Sequence, residues 1–248
     1  MIPKNRFITI RKTGILLFLL LCSGVVQCCS DTHQAIPPNG LDVPFHDTYS
    51  DKNQCMQVAM KSVIEYFLDE VYTVDELDSV TGRKRGKWTS VSQGVFGLYE
   101  LGLEVEAYCA EKEPDFRARW GRDAEKIVKN LDMAVVNEYS EKAVNSGLMK
   151  GEKLPFNKIE KHIEAGHVLI MIVDLNVLLN GESRSYNGHS VVVTGFDEDY
   201  IFYHEPSNSA IWPKPHRKVS KELFIEAWDA NGTDNCVIIV FGKREKAV

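Results

Sequence analysis

Between residues 54 and 68, apolar side chains recur at helical spacing. Ala59, Val63 and Phe67 share one face, and Met56, Met60 and Ile64 widen it. The spacing predicts a helix with a broad buried face that opens on Gln54-Cys55. Two capping boxes follow, Thr73-x-x-Glu76 and Ser90-x-x-Gln93. In each, a hydroxyl takes the N–H three residues on and that residue's side chain takes the first N–H in return, so each predicts a helix start. The helix after Ser90 is predicted to stop at Gly102. Residues 115–150 predict two or more further helices, and Asn157 with Glu160 predicts another that runs to about Gly166. From there the period changes to two. Residues 167–175, 189–196, 200–204 and 236–241 are apolar, β-branched or aromatic runs separated by turn residues, the pattern of antiparallel strands. Residues 103–109 form a similar strand-like run. Asp197-Glu198-Asp199 predicts a tight hairpin, and a short helix over 221–228, entered through Ser220, interrupts the strands. Helices first and strands last predict an α+β fold with a cleft where the two parts meet.

The first 30 residues follow a different logic. Lys4, Arg6, Arg11 and Lys12 precede an apolar stretch over 14–26 broken only by Ser23, the pattern of an export signal. The stretch is shorter than the ~20 residues that cross a bilayer, and no later segment is longer, so no transmembrane segment is predicted. Cleavage after Ser30 is one reading. Lipidation of Cys28 or Cys29, as in a bacterial lipoprotein, is the other. The chain then divides into a signal at 1–30, a flexible leader at 31–42 broken by Pro37-Pro38-Asn39-Gly40, a domain at 43–242 and a polar tail at 243–248. An exported, periplasmic, cell-envelope or secreted location follows.

Composition changes this picture in two ways. With 44% hydrophobic and 26% charged residues, the chain has the balance of an ordinary globular protein. Its formal net charge is −6, and removing the four cations of the signal leaves 25 basic against 35 acidic side chains, a net of −10. An acidic surface argues against nucleic acid and anionic membrane as partners. The local run Arg83-Lys84-Arg85-Gly86-Lys87 reads as a solvated loop. Outside the signal, Cys55, Cys109 and Cys236 form an odd set in what export makes an oxidising compartment. Cys109 and Cys236 are either bridged or two small buried apolar residues. Neither has a histidine at metal-ligand spacing, so no metal site is predicted, and no cofactor is implied.

The candidate chemistry is a triple. Cys55 opens a helix after the polar loop 47–53, and a helix N-terminus together with a nearby imidazolium lowers a thiol's pKa from its usual ~8.5. The bland alternative is a core cysteine. His189 begins a strand, after Asn187-Gly188, where the alternative is a structural histidine. Glu205 ends the strand beyond the hairpin and is placed to accept from the His189 imidazole, where the alternative is a solvent-facing carboxylate. Nucleophile first and histidine 134 residues later fits the long Cys–His spacing of papain-type enzymes.

At these residues the chain resembles the papain-like cysteine peptidases of the bacteriocin-leader-processing, or double-glycine, group. The resemblance rests on Val43-Pro44-Phe45, the Cys55 helix, the segment Gly188-His189-Ser190-Val191-Val192-Val193-Thr194-Gly195-Phe196-Asp197, the segment Tyr203-His204-Glu205-Pro206, and the helix over 224–228. It spans about residues 43–241. It implies a papain-like α+β fold, an N-terminal helical lobe followed by a C-terminal antiparallel sheet. It also implies acyl transfer on a peptide or protein substrate, with Cys55 attacking a carbonyl, His189 moving the proton and Glu205 orienting His189. Members carry a Gln several residues ahead of the nucleophile as oxyanion donor, whereas Thr48 and Tyr49 stand near that position here. Gln54 is the candidate donor in its place, with His46, Thr48 and Asn53 as other polar residues of the loop. Glu205 stands where the family has Asp. Two other activities use the same residues: an acyl transferase in which an amine replaces water, and an inactive exported binding module.

Overall fold

The computed structural model describes residues 36, 39–47, 53–110, 120–206 and 214–245. The segment 1–30 read as an export signal, with Cys28 and Cys29, most of the predicted leader, Thr48 and Tyr49, residues 115–119 and the last three residues of the predicted tail lie outside them.

Local signals set the first helices. Helix α1 (Cys55–Leu68) has Gln54 at its N-cap. Both capping boxes form, starting α2 (Val74–Thr81) and α3 (Val91–Glu100). The last of these is capped by Leu101, and the turn into β1 (Leu103–Tyr108) passes through Gly102 at φ +89, a left-handed value that favours glycine. A 3-10 turn at Gly121–Asp123 leads into α4 (Ala124–Asn130) and α5 (Met133–Asn145), then the two-residue β2 (Met149–Lys150). Helix α6 (Phe156–Glu164) starts after Pro155 at φ −63, not at the Asn157 capping position predicted. A residue without an N–H and with φ already fixed is suited to that boundary, and it moves the start ahead of Asn157.

The rest is strand-rich: β3 (Val168–Asp174), the short α7 (Leu175–Asn180), β4 (Gly188–Phe196), β5 (Tyr200–Glu205), β6 (Lys214–Ser220), α8 (Lys221–Asp229) and β7 (Val237–Lys243). The β4–β5 hairpin is the predicted one, with the Asp197 carboxylate accepting from the N–H groups of Asp199 and Tyr200. Ser220 caps α8 by accepting from the Leu223 N–H. Neither α7 nor β6 was predicted.

These strands form one seven-stranded sheet in the order β2-β1-β7-β3-β4-β5-β6, antiparallel except for β1 with β2. The fold is α+β, with helices α1 to α3 ahead of the main run of antiparallel strands, as predicted. Strand alternation sends Val168, Ile170 and Ile172 into a core with Met56, Ala59, Met60, Val63 and Ile64 of α1. Leu169, Met171 and Val173 go to the opposite core, with Ile159, Ile163, Phe224 and Trp228 of α6 and α8. The sheet therefore carries a helical layer on each face. The large α1 side chains in the first core stabilise by roughly 2 kcal/mol each through burial. Gly94 lets α3 approach closely, because a Cβ there would meet the Met56 sulfur at 2.8 Å.

Cys109 and Cys236 form a disulfide. The register explains it: Tyr108 pairs with Val237, which sets the residue after one directly opposite the residue before the other. Their Cα atoms are 4.4 Å apart, the spacing of directly opposed antiparallel residues.

Candidate active site

Helix α1 begins at its nucleophile candidate. The first intrahelical bond runs from the Val58 N–H to the Gln54 carbonyl, at 2.9 Å, so the N–H groups of residues 55–57 have no acceptor within the helix. The Gln54 side chain does not cap them. Cys55 therefore sits in the positive end of the helix field, half-buried, and is the only free cysteine among the described residues.

The preceding loop is held by Asn53. Its amide nitrogen donates to the Gly86 carbonyl at 3.0 Å and its oxygen accepts from Trp88 Nε1 at 3.1 Å. The Trp88 ring stacks on Tyr186, 5.8 Å between centroids, and the Tyr186 hydroxyl donates to Asp234 at 3.0 Å. Tyr186 lies three residues ahead of His189, so the series ties the cysteine loop to the histidine strand.

His189 is the second residue of β4 and Glu205 the last of β5. The hairpin brings both to the same end of the sheet, and His189 Nε2 bonds Glu205 Oε1 at 2.6 Å with both side chains buried. That leaves Nδ1 free of Glu205, and His189 and Cys55 each shift the other. Burial works to raise the Cys55 thiol, but the hydrogen bond and charge of His189, together with the N–H and hydroxyl of Ser190, bring it down to about 7. Burial works to lower His189, and the Glu205 carboxylate, then the bond to Cys55, hold it well above the ordinary imidazole value. The pair thus favours thiolate with imidazolium. The structure brings together all three residues predicted from sequence. Ser190 was not singled out, because a serine directly ahead of the run Val191-Val192-Val193 reads as an ordinary strand position.

The oxyanion candidates separate. Gln54 is buried next to Cys55. His46 bonds Glu65 at 2.7 Å, and Glu65 is ten residues along α1 from Cys55, about 15 Å at the helical rise, so His46 is remote from the sulfur. Both ends of the Asn53 amide are engaged in holding the loop. Thr48 lies outside the described residues.

Beside Glu205, His204 points to other partners. Its Nε2–H donates to the Val43 carbonyl at 2.7 Å, its Nδ1 accepts from the His216 N–H at 3.1 Å, and Phe45 packs edge-on against it. The segment 39–46 is tied across β4 and β5 by this bond and by the Leu41 N–H to the Thr194 carbonyl at 2.7 Å. His216 in turn bonds the Thr194 hydroxyl at 2.9 Å.

Among the described residues, no group of three or more His, Cys, Asp or Glu side chains is arranged to hold a metal ion, and no helix is long and apolar enough to cross a membrane.

A family profile described as Guanylylate cyclase matches residues 123–240, just under half of the chain, a span that includes His189 and Glu205 but not Cys55. A comparison with curated proteins finds no match. Among solved structures, the peptidase domain of Streptococcus ComA, a bi-functional ABC transporter involved in a quorum-sensing pathway, is 12% identical with a TM-score of 0.44, over 80% of this chain and 97% of that one. A putative C39-like peptidase from Bacillus anthracis is 14% identical with a TM-score of 0.48, over 82% and 96%. A double-glycine-motif protease of an AMS/PCAT transporter, in complex with its leader peptide, is 15% identical with a TM-score of 0.42, over 83% and 96%. At this identity, what those proteins cleave is a property of theirs alone.

Proposed function

We propose that this protein is an exported cysteine hydrolase that cleaves a peptide or amide bond through Cys55, His189 and Glu205. The observation that carries the reading is the buried His189–Glu205 bond at 2.6 Å, set at two strand ends beside a cysteine at a helix N-terminus whose thiol His189 lowers. In the reaction, the Cys55 thiolate attacks the carbonyl carbon, and the C–N bond breaks as imidazolium gives its proton to the leaving amine. The thioester is then hydrolysed by a water whose proton returns to His189. Glu205 keeps the imidazole oriented and charged. Gln54 and the Cys55 N–H are the proposed donors to the oxyanion. The resemblance at residues 43–241 makes a peptide the first substrate class to try. The pattern of residues 1–30 and the Cys109–Cys236 disulfide favour an oxidising, extracytoplasmic location, with Cys28 or Cys29 as the residue that would carry a lipid.

The test incubates the mature protein with a pool of unrelated peptides and reads new termini by mass spectrometry. Cleavage that vanishes in Cys55→Ala is expected, together with alkylation of Cys55 by iodoacetamide faster than that of an unstructured thiol. Aminolysis products in added amine would move the reading to an acyl transferase. No cleavage, with Cys55 alkylating at an ordinary rate, would leave an inactive binding module. A parallel arm with GTP addresses the partial profile match, and a cyclic product that survives Cys55→Ala would overturn the hydrolase reading.

A further inference from the structure

The hydrogen-bond direction of β4 has a consequence at Ser190. Ile172 donates its N–H to the Cys236 carbonyl at 3.0 Å, toward β7, so the rung Ile172–Ser190 is not hydrogen-bonded between β3 and β4. Alternation then turns the Ser190 N–H toward β5. The β4–β5 ladder has its last rung at Val192 with His204. Two residues further the partner would be Pro206, which has no N–H to give and is suited to end a ladder. The Ser190 N–H therefore points beyond the last rung of that ladder, and it is one of the groups that bring the Cys55 thiol down. The side chain has the same destination. Ser190 shares its strand face with Val192 and opposes Ile172, both in the core that α1 packs on, and its buried hydroxyl also works to lower the Cys55 thiol.

We infer that Ser190 is a two-pronged anion holder for the nucleophile: its N–H and its hydroxyl both donate to the Cys55 sulfur, so that the thiolate is held by the β4 edge as well as by His189. The inference deepens the cysteine-hydrolase reading and rests on it for its use in catalysis. Its second prong requires a hydroxyl, because any residue but proline supplies the N–H and only a hydroxyl at this position supplies the other donor.

The experiment reads the thiol rather than turnover, so that the two ideas fail separately. The rate of iodoacetamide alkylation of Cys55 is measured against pH in the mature protein and in Ser190→Ala, with far-ultraviolet circular dichroism to show that the fold is kept. The wild-type midpoint is expected near 7. In Ser190→Ala it moves up, with a roughly tenfold lower alkylation rate well below the midpoint, the effect of one hydrogen bond to a charged group. Ser190→Thr compared with Ser190→Val isolates the hydroxyl in two side chains of equal shape and decides the matter if Ser190→Ala does not fold; the threonine variant is expected to keep the low midpoint. A low wild-type midpoint that none of these variants moves overturns the role of Ser190 and leaves the hydrolase reading standing. A midpoint that moves as expected in a protein that cleaves no peptide upholds Ser190 and sinks the hydrolase. An ordinary thiol midpoint in the wild type overturns both.

Discussion

His189 and His204 are both buried, on paired strands, and Glu205 adjoins one in sequence and touches the other in space. Their electrostatics are opposite. His204 places a backbone carbonyl at Nε2 and a backbone N–H at Nδ1, so the neutral ring satisfies both partners and a second proton would face a donor. Burial first, then the neighbouring charges of His216 and His46, lowers it to about 4, even though the Val43 carbonyl works the other way. His189 has comparable burial, but the carboxylate at 2.6 Å overrides it and keeps the ring charged. A buried imidazole is neutral by default, and one enclosed carboxylate reverses the default. Successive residues of β5 point to opposite sides, so the same strand supplies the carboxylate on one side and a structural clamp for residues 39–46 on the other.

The comparison breaks most directly at the two rings. His189→Ala is expected to lower peptide turnover on the order of 10⁴-fold or more, the scale of losing the base of a triad. His204→Gln should retain turnover within a few-fold while it loosens the 39–46 segment. Initial-rate assays on the two purified variants check this, and equal losses would mean that the two histidines do not divide the work as described.

Glu205→Gln sharpens it by removing charge at nearly constant shape. The rate should fall between roughly 10²- and 10⁴-fold, a smaller loss than for the base itself. Because the carboxylate is what raises His189, the alkaline limb of the pH–rate profile should move to lower pH. The acid limb, set by a thiolate that has lost part of its imidazolium partner, should move up. A profile that shrinks in height without narrowing would show that Glu205 acts by orientation alone.

The smallest effect is on stability. His204 has a folded value near 4 against an ordinary 6.5, so the unfolded chain takes up the proton first. Its contribution is fully present above 6.5 and is lost as pH falls toward about 4, roughly 3 kcal/mol in total. His189 has the opposite sign: its contribution is present below 6.5 and lost as pH rises through its raised folded value. Urea unfolding across the acid range should therefore show a flatter pH dependence in His204→Gln than in the wild type, and equal slopes would refute the neutral clamp.

What could be seen in the sequence was what is decided locally. Thr73 with Glu76 and Ser90 with Gln93 start helices because the capping partners are three residues apart, and the apolar runs of β3, β4 and β7 announce themselves by composition. Cys55, His189 and Glu205 stood out because each lies at the end of an element, where a side chain is free of the core pattern. Strand β6 was hidden because Lys214-Pro215-His216-Arg217-Lys218 is a polar edge with no buried run, and His216 adopts φ +47, a value sequence pattern does not announce. The helix after β3 was hidden because it is only six residues long and follows the strand directly, so that Asp174, which caps it by accepting from the Asn176 N–H, is also the last residue of β3. Ser190 and the disulfide depend on register, which is a property of two strands at once. One needs the β4–β5 ladder to stop at His204, and the other needs Tyr108 to face Val237.

The disulfide also changes what a break in the chain would do. Cys109 and Cys236 are 127 residues apart, and the ring they close contains both His189 and Glu205, while Cys55 lies outside it on the N-terminal arm. A foreign protease that cut once anywhere within the ring would leave two pieces that still travel as one species on a gel until a reductant is added, with histidine and carboxylate still tethered to each other. A single cut between Cys55 and Cys109 has no such safeguard. It would leave the sulfur attached to its partners by packing alone, so a foreign protease threatens this molecule chiefly through the segment between Cys55 and Cys109.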